Sequence, residues 1–190
     1  MGRTEEVAPV QQEGKERNGM EHRFGVFDTV EELNRAAAAQ KAEGDEEALL
    51  ALAAENGICR EDAEDYLDGT AEELATPLMA ALGKLDMEAA ELGLESQLAD
   101  WKGYIASLCT EDDALCDAVF RPGKELAYVL AEGIRHASVN RVYVPGRITQ
   151  MAGLPHRIPI GMTGRDELRR IAYRYYMGEE AEGHDRIQGD

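Results

Sequence analysis

Three cysteines, four histidines and dense runs of carboxylates are the side chains of this 190-residue sequence best suited to acting on a ligand. Thiol catalysis needs a cysteine held against a base, and a zinc site needs cysteines or histidines at short, paired spacing. Cys59, Cys109 and Cys116 form no CxxC pair. A dyad of Cys109 or Cys116 with His136 has no support in spacing, and His22 and His184 fall in polar ends of the chain. The cysteines read as small buried apolar residues in a reducing cytoplasm. "DAEDYLDG" and "EDDALCD" are rich in oxygen ligands, but a calcium loop needs ligands at positions 1, 3 and 5, glycine at 6 and glutamate at 12. Neither segment fits, so both read as solvated helix faces. No GxGxxG follows a strand and no GxxxxGK[ST] occurs. The expectation is a protein without enzymatic activity, metal or cofactor, which works through its surface.

Two surfaces stand out. Glu61, Asp62, Glu64, Asp65, Asp68, Glu72 and Glu73 place seven carboxylates in 13 residues. Like charges at i, i+4 cost a helix a few tenths of a kcal/mol each, so this density hints at an external basic partner. Late in the chain, Arg165 with Arg169 and Arg170 with Arg174 form two i, i+4 rows. They suit pairing with the acidic helices, partner recognition or, least of all, phosphate contact, which the surrounding negative field opposes.

That field is lopsided. Formal net charge is −18, yet residues 1–140 carry 12 basic against 31 acidic side chains, residues 141–178 carry seven arginines against Asp166 and Glu167, and residues 179–190 are acidic again. Such a body repels nucleic acid and anionic membrane and attracts strongly basic partners. No run approaches the roughly 18 apolar residues of a membrane span, and residues 1–23 lack a signal-peptide pattern. The chain is expected to be soluble and cytoplasmic.

The elements that would position these residues are helices. Hydrophobic residues make up 44% and aromatics only 6%, with alanine abundant, which favours an all-α or mainly α single domain with at most a short strand. Residues 1–23 read as a disordered arm, 24–178 as the helical domain and 179–190 as an acidic disordered tail. Asp28 with Glu31 resembles a capping box for a helix to about Lys41, and Asp45 opens a second that Gly57 stops. Residues 61–68 form a short acidic helix with Tyr66 and Leu67 inward, ended by Gly69. Thr70 with Glu73 forms a box for the next helix, which kinks at Pro77 or restarts there with Thr76 as cap. Leu94, Leu98, Trp101, Ile105 and Leu108 form one stripe of a long helix. Residues 112–120 are another helical piece. In residues 124–138, Leu126, Val129, Leu130, Ile134 and Ala137 face the core, and Gly133 lets a neighbour approach. "RVYVP" allows a brief strand, residues 145–161 a Pro/Gly-punctuated loop, and a last helix runs from a Thr163 cap to Gly178 with Leu168, Ile171, Ala172 and Tyr175 buried.

The run "VPGRITQMAGLPHRIPIGMTGRDELRRIAYRYYMG" (144–178), preceded by "AEDYLDG", resembles the PcfK-like family of mobile-element proteins from gut bacteria, which includes anti-CRISPR inhibitors of the type II Cas effector nuclease. The resemblance spans roughly residues 21–178 and carries no active-site residues across. It implies direct binding to an RNA-guided nuclease, a large protein with positive channels for guide and target, in a bacterial cytoplasm. The first expectation is therefore an inhibitor of that nuclease; the second is an accessory or scaffolding protein of a conjugative element, and the third a DNA mimic against another DNA-binding protein. Direct nucleic-acid binding is not expected, and homodimerisation through spare apolar surface is left open.

Overall fold

Side chains that accept a hydrogen bond from the first turn open five of the helices. Thr29 Oγ1 accepts from Glu32 N at 3.2 Å and opens α1 (Val30–Glu43), while Glu32 accepts from Asp28 N at 3.0 Å. The capping box therefore sits one residue beyond the expected Asp28–Glu31 pair. Asp45 caps α2 (Glu46–Glu55) as expected, accepting from Ala48 N at 2.9 Å, and Gly57 turns the chain at φ 71° just past its end. Cys59 Sγ accepts from Asp62 N at the start of α3 (Arg60–Asp68). Cys59 is exposed, so the expectation of three buried cysteines holds only for Cys109 and Cys116. Thr76 caps α4 (Pro77–Glu91) with Pro77 in its first turn; the Thr70–Glu73 pair opens no helix, because the chain bends from Thr70 to Leu74.

The computed structural model describes residues 24–178, so the expected disordered arm 1–23 and tail 179–190 lie outside it. The chain is mainly α, as its composition implies: α5 (Ser96–Cys109), α6 (Asp113–Phe120), α7 (Leu126–Val139), α8 (Gly146–Met151) and α9 (Arg165–Met177) complete nine helices among the described residues. Strands β1 (Arg141–Tyr143) and β2 (Pro159–Gly161) pair antiparallel, with Val142 opposite Ile160. The stripe expected to form one long helix is interrupted: Gly93 at φ 60° and Ser96 at φ 50° break the backbone, leaving Leu94 in the turn between α4 and α5. Residues 145–161 are not a plain loop, since they contain α8 and β2.

Two apolar clusters form the core. Val30, Leu33, Leu49, Leu52, Tyr66, Leu74 and Ala80 fill one, built from α1–α3 and the start of α4. Leu85, Trp101, Ile105, Leu115, Val129, Leu168 and Tyr176 fill the other, built from α4–α7 and α9. Helices α4 and α6 join the two: Ala80 and Phe120 belong to the first cluster, Ala81 and Val119 to the second. Two glycines set close approaches. A Cβ on Gly83 would lie 2.5 Å from the Gly57 carbonyl oxygen, so α4 meets the α2–α3 turn backbone to backbone. A Cβ on Gly133 would meet the Trp101 ring at 2.7 Å, the close neighbour that its position on the inward face of α7 implies. Ile134 departs from expectation at 51% exposure; the inner side of α7 is carried by Leu126, Val129, Leu130 and Gly133. Lys84 ties α4 to the end of α6, donating to the carbonyls of Val119 at 2.7 Å, Arg121 at 3.3 Å and Lys124, beside Glu88 at 3.4 Å. Burial holds its ammonium below the usual lysine range.

Candidate interaction surface

An acidic face forms because α3 turns Ala63 and Tyr66 into the core with Leu67 packed at its edge, while its charged residues stay outside. Lys41 holds the helix from behind, donating to the Tyr66 carbonyl with its ammonium 4.4 Å from the Tyr66 ring centroid. Gly69, left-handed at φ 88°, then ends α3, and the bend to Thr76 swings Glu72 and Glu73 round beside it. Asp62, Asp65, Glu72 and Glu73 line an open depression of about 360 Å³, together with Leu74, Thr76, Met79 and Ala71. Four of the seven predicted carboxylates thus surround one hollow that also contains apolar surface.

The seven differ in what holds them. Asp62 accepts from the Cys59 thiol at 3.0 Å, Glu64 pairs with Arg60 at 2.7 Å, Asp68 accepts from Thr70 N at 2.9 Å, and Glu73 accepts from Asn34 Nδ2 at 3.4 Å. The Thr70 bonds hold Asp68 below the usual carboxylate range. Glu61, Asp65 and Glu72 have no side-chain partner among the described residues. Both side chains of the Arg60–Glu64 pair are more than half exposed, so that contact offsets little of the local charge.

The arginines of α9 stand elsewhere. The helix packs on α5, α6 and α7, whereas α3 packs on α2. Arg170 pairs with Glu167 in its own helix; Arg165 lies 5.4 Å from the Tyr104 ring centroid and Arg169 5.3 Å from that of Tyr173. Arg174 lies close enough to Glu132 to help lower its pKa, after the hydrogen bond from Arg135. Pairing of these arginines with the acidic helix, one of the three uses considered for them, is not what the structure shows. Arg165 and Arg169 meet tyrosine rings and Arg170 meets Glu167, and the anionic face is left without them.

Thr163 is not the cap of α9. It is buried, donates to the Gly133 carbonyl at 2.7 Å and lies 3.2 Å from His136 Nδ1, while Gly164 takes the cap position. His136 Nε2 faces Glu167 at 3.8 Å. A threonine, a histidine and a glutamate in a row resemble a nucleophile relay, but the hydroxyl proton is committed to a carbonyl and is not aimed at the imidazole. The row instead clasps α7 to the chain entering α9. Cys109 and Cys116 are buried, with the Cys116 thiol donating to the Cys109 carbonyl at 3.0 Å. Burial, then the neighbouring Cys116, pushes the Cys109 thiol up to about 12, far from the thiolate that nucleophilic chemistry uses. Among the described residues no cluster of three or more His, Cys, Asp or Glu is arranged to hold a metal ion, and no helix is long and apolar enough to cross a membrane.

A further surface overlaps the Pro/Gly-punctuated loop of residues 145–161, which with the late arginines reads as a second contact region, and its apolar character is what the sequence did not reveal. Val139, Val142, Tyr143, Ile148, Met151, Leu154, Ile160 and Met162 are 40–82% exposed, eight of the twelve large exposed hydrophobics. The segment shows no apolar period that would have marked it. No family model matches the chain, and neither curated proteins nor solved structures give a match.

Proposed function

We propose that this protein acts by binding, presenting the α3 face to a basic macromolecule whose lysines and arginines serve to hold nucleic-acid phosphates. The observation that carries this reading is the separation of charge within the chain. Among the described residues Glu61, Asp65 and Glu72 stay without internal partners although four arginines stand on α9, where Arg170 pairs with Glu167 and Arg165 and Arg169 lie over tyrosine rings. Carboxylates held apart in this way repel one another, and a cationic surface relieves that repulsion on contact. The depression beside α3 suits a basic side chain in particular: Met79 and Ala71 can pack against the aliphatic stem while Asp65 and Glu72 meet the charged end.

The choice of target rests on the PcfK-like resemblance alone, which makes the type II RNA-guided nuclease the first one to test. Its guide and target channels are positive grooves of the kind an acidic competitor would occupy. Purified protein is mixed with guide-loaded nuclease, and target binding and target cleavage are followed together. Loss of both is the predicted result. Loss of cleavage with DNA binding retained would discard competition with DNA and keep inhibition. Full activity across tested orthologues would leave the scaffolding role in a conjugative element as the better reading.

A further inference from the structure

The β1–α8–β2 segment is an ordered module whose apolar residues point away from the core. Val144 N donates to the Ile158 carbonyl at 2.9 Å, Leu154 N to the Thr149 carbonyl at 2.8 Å, and the buried Thr149 hydroxyl lies 3.0 Å from the Gly146 carbonyl and 3.3 Å from that of His156. Its seat is the C-terminal end of α7, where a Cβ on Gly161 would run into the Ala137 carbonyl. That contact orients the ribbon. By register Gly161 and its partner Arg141 lie on the side that meets α7 and the directly opposed Val142 and Ile160 lie on the other, 64% and 40% exposed, while Tyr143 is itself 61% exposed. On α8, Ile148 and Met151 are three residues apart on the face opposite buried Thr149, at 56% and 82% exposure. Exposed large apolar side chains gathered in one hydrogen-bonded module, and not scattered singly, are characteristic of an interface.

Charge narrows the occupant. Residues 139–162 contain Arg141, Arg147 and Arg157 and no Asp or Glu, so the covering surface is acidic. Duplex DNA or RNA offers phosphates, but its dense negative charge is opposed by the acidic body, net −18, to which the module is fixed. An anionic bilayer meets the same net repulsion as a second copy, without a shaped hollow that sets apolar side chains beside its charges. A symmetric contact of the module with its own copy would bring arginines against arginines. The chain itself provides the complement: the α3 depression combines free carboxylates with Met79, Ala71 and Leu74. The module packs on α7 and α3 packs on α2. We infer that the β1–α8–β2 module of one molecule docks on the α3 face of a second copy, in a head-to-tail contact that repeats from molecule to molecule. A contact of this kind closes into a ring or extends as a chain, depending on its rotation. It also covers the face assigned above to the target, so self-association and target binding exclude each other.

Sedimentation velocity of the full chain, over a concentration series at physiological salt, reads this directly and needs no nuclease. The average mass is expected to rise above the monomer with concentration. Ile148→Asp with Met151→Asp is expected to hold the chain as a monomer, as is Asp65→Lys with Glu72→Lys. All four positions are exposed, and an unchanged circular dichroism melt checks that each variant folds; Arg147→Glu gives a second, single-site break in the module. Mixing the two double variants is the decisive arm. Each keeps one intact face, so a one-to-one dimer forms and grows no further. A wild-type chain that stays monomeric at every concentration overturns the proposal. So does association that mixing fails to restore, which would indicate a symmetric contact, and so does a monomer that floats with phosphatidylserine vesicles, which would make the module a lipid face.

Discussion

At the scale of single residues, the protein keeps potentially reactive groups in their neutral or engaged forms. Cys109 and Tyr173 are both pushed up to about 12, from 9.0 and 10.0 respectively. Burial is the main cause at each; Cys116 adds to it at Cys109, and at Tyr173 so does the hydrogen bond to Asp112 at 3.1 Å. Because the folded chain keeps these protons after the unfolded chain has lost them, stability is full below pH 9.0 and falls as pH rises toward 12. Lys84 works in the opposite sense, since its lowered pKa makes the unfolded chain the better proton holder below 10.5. The difference between wild type and Cys109→Ala isolates the thiol. Denaturant midpoints measured from pH 8 upward should fall more steeply for wild type than for the variant, and parallel curves would mean that Cys109 ionises in the fold as freely as in the unfolded chain.

At the scale of elements, what local chemistry determines was legible and what packing determines was not. Asp45, Thr76 and Pro77 mark helix starts because a cap needs only a side chain and the three residues after it. Thr70 with Glu73 has the same signature and fails, because Leu74 and Ala75 are drawn into the core and the chain must bend to bury them. Thr163 fails as a cap for a similar reason: its hydroxyl satisfies the buried Gly133 carbonyl instead of the α9 backbone. Ile134 continues the apolar spacing of α7, yet the partner surface that would have covered it is absent at that turn. The acidic cluster was readable as a cluster, but not that Glu72 and Glu73 curl back to line a hollow with Asp62 and Asp65. The contact of Gly57 with Gly83 left no trace in the sequence: Gly57 reads only as a helix stop, and Gly83 carries no signal of a close approach. Placed inside α4, Gly83→Ala would gain about 1 kcal/mol from helix propensity alone. The 2.5 Å approach reverses that sign: overpacking against backbone costs about 1–3 kcal/mol, so the variant is expected to melt several degrees lower. A melt at or above wild type would show that α2 and α4 separate without cost.

At the scale of the whole molecule, two unlike surfaces sit on two halves of one core. The half built from α1–α3 carries the anionic face, and the half that includes α7 and α9 carries the arginines and the exposed apolar module. Binding energy assigned to the anionic face must come from side chains without partners among the described residues, which narrows the seven carboxylates to Glu61, Asp65 and Glu72. The most direct measurement is the affinity for guide-loaded type II nuclease of wild type against Asp65→Lys with Glu72→Lys, by calorimetry or interferometry, with the thermal melt as a check on folding. Binding at least a hundredfold weaker, about 2.7 kcal/mol, is expected for the double variant, with the melt unchanged. Equal affinity of the two proteins for a nuclease that wild type does bind would contradict that expectation.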